Sequence, residues 1–294
     1  MQALFVDSTH LYKMLDIISA MDDFFSFGSA EKLVAIYHDS NNILLSKLVE
    51  SLKTFSEHLS LCRVSELEND IQAILTHFAA YQNSKQQTTD TSDYNEAFFE
   101  ILIDRIQSEF EFPTNNVCRN VSICEWCCNK GLLQQALSII NENFPVFICK
   151  HITFTPYQES VKTLIHNSKH TTCARSIFNG LTHLKDESGK AIEEVTPAIL
   201  AKHIQYNESQ ADMLCTMLNC YKKIVKERNA ANHASLSDAS YADITKLIQE
   251  SIAAMRAILS LPQEDGANNL INTLENPSDL CTPVNIVKLP MRTA

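Results

Sequence analysis

The sequence YKKIVKERNAANHA, residues 221–234, lies between the two strongest helical patterns of the chain. The pattern before it predicts a long helix that starts at Thr196 and Pro197, an N-cap followed by a proline at the first helical position, and ends near Arg228. The pattern after it predicts a helix with one apolar face, formed by Tyr241, Ile244, Leu247, Ile248, Ile252, Met255, Ile258 and Leu259. This part of the chain is therefore predicted to be α-helical.

Upstream of these helices, one amphipathic helical pattern follows another from Ile43 onward. The first forty residues differ, because short apolar runs at Ala3–Val6 and Lys32–His38 flank a helical pattern and predict a small β-α-β unit. The predicted fold class is thus mainly α, a helical bundle with a small N-terminal β-α-β unit. The predicted domains are residues 1–42 for that unit, 43–275 for the helical domain and 276–294 for an irregular tail.

The composition excludes several classes of function. The chain has only five glycines, and no two lie closer than nine positions, so it cannot hold a GxGxxG or GxxxxGK[ST] phosphate-binding loop. No apolar run is long enough to span a membrane, and the first residues do not resemble a secretory signal. With ten cysteines and no signal, the expected location is the reducing cytoplasm, with no membrane partner.

Residues 221–234 form a local positive patch in an acidic chain, whose formal net charge is −11. Glu227 is the only acidic residue of the stretch, and its basic residues are Lys222, Lys223, Lys226 and Arg228. The acidic balance argues against nucleic-acid binding over the whole surface, but it leaves room for a local basic groove.

The spacing of Arg228, Asn229 and His233 sets conditions on any shared site. On a continuous helix Asn229 and His233 are four residues apart, so they share a face and the amide could orient the imidazole. Arg228 and His233 would be about 140° apart around the same helix. They converge on one phosphate only if the helix ends between them or a second subunit contributes. The alternative interpretation is an ordinary basic helix end, in which His233 caps carbonyl groups.

The motif Arg-Asn-x-x-x-His, after a helix that bears Tyr and Lys, resembles the motif of HEPN ribonucleases. The whole stretch 221–234 resembles that of CRISPR-associated ribonucleases of type III systems. Two further stretches are similar to the same group. Glu125–Leu137 resembles its W…KGLxQQAL helix, and Leu4–His10 resembles the Asp-x-Thr-His element at a strand end of its CARF sensor domain.

This resemblance implies a metal-independent endoribonuclease that cleaves single-stranded RNA in prokaryotic antiviral defence and pairs as a homodimer through its HEPN domain. In that enzyme Arg228 would stabilise the charge that develops on the phosphate, and His233 would act as general acid or base or would position the 2′-hydroxyl. Asn229 would hold the site together. The RNA-binding residues would be Lys222, Lys223 and Lys226.

The resemblance also implies control by cyclic oligoadenylate, bound by Asp7, Thr9 and His10, with no resident cofactor. Ligands of open α/β sheets bind outside the carboxyl ends of the strands, which is where these residues are predicted to lie. The chain departs from family sensors at Leu11, where they carry glycine, and the predicted unit has fewer strands than theirs. An ordinary helix N-cap at Ser8 or Thr9 is the alternative interpretation.

Two other classes of function fit the same residues. A non-catalytic helical HEPN protein would bind RNA, or act as a regulatory or antitoxin-like partner. A helical scaffold would carry the motif by chance. The intact set of Arg228, Asn229 and His233 favours the enzyme, because a protein that only binds RNA has no need of the histidine.

A cysteine cluster offers a zinc site as a rival hypothesis, and it comprises Cys118, Cys124, Cys127 and Cys128. Zinc sites favour such close spacing, but only Cys149 and His151 could add later ligands. Cys124 and Cys128 are also helical neighbours, which is typical of small buried apolar side chains, here beside Trp126.

Overall fold

The computed structural model shows a mainly α-helical protein, as the sequence predicts. It describes residues 9–38, 40–85, 94–113, 116–152, 154–157, 160, 164, 173–186, 188–233 and 238–260. The predicted strand Ala3–Val6 and the predicted tail at 276–294 lie outside the described residues. The chain divides into two compact units, residues 1–135 and 136–294.

The first unit contains, in chain order, α1 (Thr9–Phe27), α2 (Glu31–Tyr37), α3 (Ile43–Ser60), α4 (Leu67–Lys85), α5 (Tyr94–Glu109) and α6 (Asn116–Asn129). The helix α7 (Leu133–His151) begins in this unit and continues into the second. Local sequence explains why α3 begins where it does. The side-chain oxygen of Asn42 accepts hydrogen bonds from the backbone N–H groups of Leu44 at 3.0 Å and Leu45 at 3.2 Å. The helix then buries an apolar face formed by Leu45, Leu48, Val49, Leu52, Phe55 and Leu59.

Aromatic rings join the helices of the first unit at its core. Phe110, directly after α5, packs edge-on against Phe55 of α3 at 5.2 Å and lies 6.0 Å from Phe24 of α1, between ring centroids. Phe55 also packs edge-on against Trp126 of α6 at 5.8 Å. Aromatic pairs in such geometry add about 0.5–1.5 kcal/mol each beyond the burial of their area.

The predicted strand Lys32–His38 is wrong, because this segment belongs to α2. Gly28 ends α1 with a backbone φ of +70°, and α2 begins three residues later. Leu33 and Tyr37, four residues apart, are both buried, and Tyr37 packs edge-on against Phe99 at 5.2 Å. A short apolar run fits a buried helix as well as a strand, so tertiary packing decides between them. Consequently residues 9–38 contain no β-α-β unit.

The second unit contains β1 (Phe154–Pro156), α8 (Cys173–Thr182), α9 (Pro197–Leu200), β2 (Ile204–Tyr206), a 3₁₀ turn (Glu208–Gln210), α10 (Ala211–Asn232) and α11 (Tyr241–Leu259). The strands β1 and β2 pair antiparallel, with Phe154 opposite Tyr206. Pro145 lies inside α7.

The predicted long helix from Thr196 to Arg228 is two helices in the structure. Its beginning is confirmed, since Thr196 precedes α9 and Pro197 is the first helical residue. The chain then leaves the helix to form β2. Asn207 then caps the 3₁₀ turn that leads into the second helix, because its side-chain oxygen accepts a hydrogen bond from the N–H of Ser209 at 3.1 Å. The second helix is α10, which runs past Arg228 to Asn232.

The helix α11 follows the predicted pattern closely. Ser240 and Asp243 form a capping box at its start, each side chain accepting a hydrogen bond from the other residue's backbone N–H. The predicted face is buried at Leu247, Ile248, Ile252, Met255 and Ile258, whereas Tyr241 is exposed. This helix packs against α10.

Gly180 in α8 is expected to be intolerant of alanine. A Cβ atom there would lie 2.4 Å from the carbonyl oxygen of Leu164 and 2.7 Å from its Cα. Overpacking of this kind costs about 1–3 kcal/mol, which outweighs alanine's gain of about 1 kcal/mol in helix propensity. Gly180→Ala should therefore lower the free energy of unfolding measured by urea denaturation.

Gly189→Ala is the comparison for that measurement. Apart from Gly189 itself and its two chain neighbours, no atom of the described residues lies within 4 Å of the Cβ position at Gly189, whose backbone φ is +81°. The expected loss there is backbone strain alone, about 1–2 kcal/mol. A Gly180→Ala protein as stable as the parent would contradict the close approach of Leu164.

Candidate functional site

The orientation of α10 is fixed by Tyr221. Its ring stacks on Phe144 of α7, with centroids 5.8 Å apart and planes 9° apart, and meets Phe178 of α8 edge-on at 5.2 Å. Tyr221 is only 2% exposed. The same side of the helix buries Leu214, Met217, Leu218 and Ile224. Because successive residues of a helix follow at steps of about 100°, this packing decides where every later side chain on α10 emerges.

One stripe of α10 carries most of the predicted polar site. Residues at i, i+4, i+7 and i+11 fall within about 60° of one another around a helix. In this stripe they are Lys222, Lys226, Asn229 and His233. Lys226, Asn229 and His233 are exposed, and Lys222 is half-buried. The predicted shared face of Asn229 and His233 is thus confirmed, since the helix continues to Asn232 and the N–H of His233 donates to the Asn229 carbonyl at 3.0 Å.

Arg228 emerges on the other side, in line with the buried face. It is half-buried, and its Nη1 donates to the side-chain oxygen of Asn229 at 3.4 Å. Its buried Nε has no hydrogen-bond partner among the described residues. Because α10 runs to Asn232 and the N–H of His233 still bonds to the Asn229 carbonyl, the Cβ directions of Arg228 and His233 differ by about 140°. The helix therefore connects the two groups through Asn229 but directs them away from each other within one chain.

The three predicted RNA-binding lysines have different surroundings. The ammonium of Lys222 donates to the backbone carbonyl of Ile192 and, at 3.3 Å, to that of Glu193. Lys223 and Lys226 are exposed. Lys222 is therefore engaged with the protein itself, and the exposed lysines present their charge to solvent.

The segment that Lys222 holds is also attached one turn earlier on α10. Asn219 accepts a hydrogen bond from the N–H of Val195 at 2.8 Å, and its amide donates back to the Val195 carbonyl at 2.9 Å. Residues 192–195 are thus held along α10 by side chains that satisfy backbone groups.

The residues predicted to bind cyclic oligoadenylate belong to the first unit. Thr9 and His10 are the first residues of α1 and are exposed. Asp7 lies outside the described residues. Activator binding at this position stays a prediction.

Three cysteines of α6 are core residues, and the side chains of Cys118 and Cys149 lie outside the described part of the structure. Cys124, Cys127 and Cys128 are all buried, and burial raises the pKa of each thiol above its ordinary value. Metal ligation needs the thiolate, which such burial disfavours. Within the described ranges, no group of three or more His, Cys, Asp or Glu side chains is placed to hold a metal ion. Cys215 and Cys220 are buried on α10.

Trp126 and Lys130 belong to a segment that resembles a family motif, and both contact Glu109, a residue that the sequence did not single out. Trp126 Nε1 donates to Glu109 Oε2 at 2.6 Å, and the Lys130 ammonium lies 2.9 Å from the same oxygen. Lys130 also donates to the carbonyl of Phe25 near the end of α1. Glu109 was not identified from sequence, because it lies 17 residues before Trp126 with no spacing that links them.

A scan against protein-family models, a search of curated proteins and a search of solved structures find no match to this chain. Across the described residues, the helices include none that is both long and apolar enough to cross a membrane. The functional assignment therefore depends on the residues of α10 themselves.

Replacing Lys222 by alanine should destabilise the protein more than replacing Lys223 or Lys226. Hydrogen bonds from a charged donor contribute about 1.5–3 kcal/mol when buried, so Lys222→Ala is expected to lower the free energy of unfolding by about 1–2 kcal/mol at this half-buried position. Lys223→Ala and Lys226→Ala remove exposed charges and should change it by less than about 0.5 kcal/mol. Urea denaturation of the three variants tests this, and equal effects would contradict the role of Lys222.

Proposed function

We propose that this protein is a metal-independent endoribonuclease that cleaves single-stranded RNA, with the site built on the last two turns of α10. The observation that carries the proposal is the Arg228–Asn229–His233 set. The guanidinium is hydrogen-bonded to Asn229 at 3.4 Å, and the exposed imidazole is one turn further along. Together with the resemblance of residues 221–234 to the HEPN motif, this arrangement supports RNA cleavage over a chance motif.

The reaction requires these side chains to stabilise negative charge on the phosphate and to transfer protons. The 2′-oxygen of one nucleotide forms a bond to the adjacent phosphorus, the bond from phosphorus to the 5′-oxygen breaks, and a 2′,3′-cyclic phosphate results. The 2′-hydroxyl loses its proton to a base and the departing 5′-oxygen gains one. His233 performs one of these transfers, because an imidazole ring can both accept and donate a proton. Arg228 binds the phosphate oxygens, where a guanidinium fits two oxygens at once.

A homodimer completes the site in this proposal. Arg228 and His233 leave α10 about 140° apart, so one chain does not aim both at one phosphate. A second copy that packs against the same helix end supplies the missing group. Lys223 and Lys226 are exposed near this end and would bind flanking phosphates.

Regulation follows from the same family resemblance. We infer that the protein acts in CRISPR antiviral defence of type III and responds to cyclic oligoadenylate through the region of Asp7, Thr9 and His10. The exposure of Thr9 and His10 is compatible with a ligand there.

The cleavage test uses a labelled single-stranded RNA in the presence of EDTA, with and without cyclic oligoadenylates. We expect the parent to produce fragments that end in a cyclic phosphate. His233→Ala and Arg228→Ala should each slow cleavage by about 100-fold or more, which is typical for loss of a general acid–base group or of charge stabilisation.

Matched controls are His183→Ala and Arg256→Ala. His183 is also an exposed histidine directly after a helix, and Arg256 is an exposed arginine in the last turn of α11. Both variants should cleave like the parent. Unchanged cleavage by His233→Ala would refute the catalytic assignment. RNA binding without cleavage under every condition would favour the non-catalytic HEPN alternative.

The dimer is tested by light scattering and by mixing variants. The expected mass is twice the 33.1 kDa of one chain. If each site combines Arg228 of one chain with His233 of the partner subunit, a mixture of Arg228→Ala and His233→Ala proteins contains dimers with one intact site and regains activity. A monomer in solution, or no recovery on mixing two folded variants, would contradict the shared site.

A further inference from the structure

The segment 192–195 lies on the side of α10 that carries the candidate site. The Asn219 amide exchanges two hydrogen bonds with its backbone, and the Lys222 ammonium donates to two of its carbonyl groups. Asn219 and Lys226 are seven residues apart, so they lie within about 20° of each other around the helix. The segment therefore covers the same side of α10 as Lys226 and ends its contacts one turn before it.

This segment brings two carboxylates next to Lys222. Glu193 and Glu194 are both exposed, and Lys222 donates to the backbone carbonyl of Glu193 rather than to its side chain. In the part of the chain that the structure describes, neither carboxylate has a cationic partner. Their negative charge therefore acts on any phosphate that approaches Lys222.

The stretch that leads into the segment does not neutralise this charge. Residues 185–194, KDESGKAIEE, contain two lysines and four acidic residues, so their formal net charge is −2. The charge also acts on α10 itself. Burial first, and then the charges of Asp212 and Glu194, raise the pKa of the Cys215 thiol, one turn before Asn219. One side of α10 thus has negative surroundings up to Lys222 and carries exposed polar and basic groups beyond it.

We propose that residues 192–195 end the RNA-binding surface of α10 at Lys222, with Glu193 and Glu194 repelling the phosphates of RNA that would continue along the helix. This inference rests on the proposed ribonuclease function and adds the path of its substrate. Lys226 binds the last phosphate on this side, and the strand then leaves the helix. Charges act over about 8 Å at physiological ionic strength, so the two carboxylates affect only the nucleotides next to them.

The test measures RNA affinity as a function of RNA length. Every full-length protein in it carries His233→Ala, which keeps the RNA intact, and is titrated with labelled oligouridylates of about 4 to about 16 nucleotides. We expect the affinity of His233→Ala alone to stop rising after the shorter RNAs, because further nucleotides on the side of the segment gain no contact.

Adding Glu193→Gln with Glu194→Gln should raise the affinity for the longest RNA at least about threefold at low salt, because the repulsion is removed. The affinity for the shortest RNA should stay the same, since it does not reach the segment. The gain should disappear near 1 M salt, where the screening length is about 3 Å.

Glu208→Gln with Glu250→Gln is the matched control, because it removes the same charge from two exposed positions of the second unit. Glu208 precedes α10 and lies about 20 Å along it from Lys222, and Glu250 belongs to α11. This pair should leave the dependence on RNA length unchanged. Circular dichroism verifies that each variant is folded.

The outcomes distinguish this inference from the proposed function. A gain confined to long RNA in the Glu193 and Glu194 variant supports the boundary at Lys222. RNA binding with the same length dependence in that variant and in its control would overturn the boundary and leave the proposed ribonuclease in place. Equal gains for short and long RNA would also overturn it. No binding of RNA of any length would overturn both.

Discussion

The packing of Tyr221 between Phe144 and Phe178 fixes the rotation of α10 about its axis, and the candidate site depends on that rotation. With the tyrosine turned inward, Lys226, Asn229 and His233 face solvent, and Arg228 stays half-buried. A rotation of one residue, about 100°, would bury a different set and expose Arg228 fully. The chemistry available at the end of α10 is therefore determined by aromatic contacts at Tyr221, about two turns before Arg228 and about three before Asn232.

Helices whose cap and buried face are both present in their own sequence could be predicted, whereas elements that depend on partners distant in sequence could not. In α11 the cap at Ser240 and the apolar face are both encoded within the helix itself. The break between α9 and α10 is different, because β2 exists through its pairing with β1, about 50 residues earlier. The same holds for α2, where Tyr37 packs against Phe99, so its short apolar run alone could not distinguish helix from strand.

The polar residues of the site could be identified from sequence, but their surroundings could not. The spacing of Asn229 and His233 predicted a shared face, and the continuous helix confirms it. Nothing near Lys222 in sequence indicated that its ammonium would reach the carbonyls of Ile192 and Glu193, about 30 residues away. Side-chain bonds to distant backbone groups have no periodicity, so the difference between Lys222 and Lys223 became visible only in the structure.

The hydrogen bonds that hold Lys222 also affect how the proposed RNA binding should depend on ionic strength. Each phosphate that a mobile cationic side chain neutralises releases a condensed counterion, and for single strands the slope of log affinity against log salt is about −0.7 per phosphate. A lysine held by two carbonyls has one N–H group left to donate, and its ammonium can move toward a phosphate only by leaving them. The counterions released at the end of α10 would thus reflect Lys223, Lys226 and Arg228 rather than all four basic residues of the stretch 221–234. The proposed RNA binding would therefore lose less affinity as the salt concentration rises than the charge of that stretch suggests.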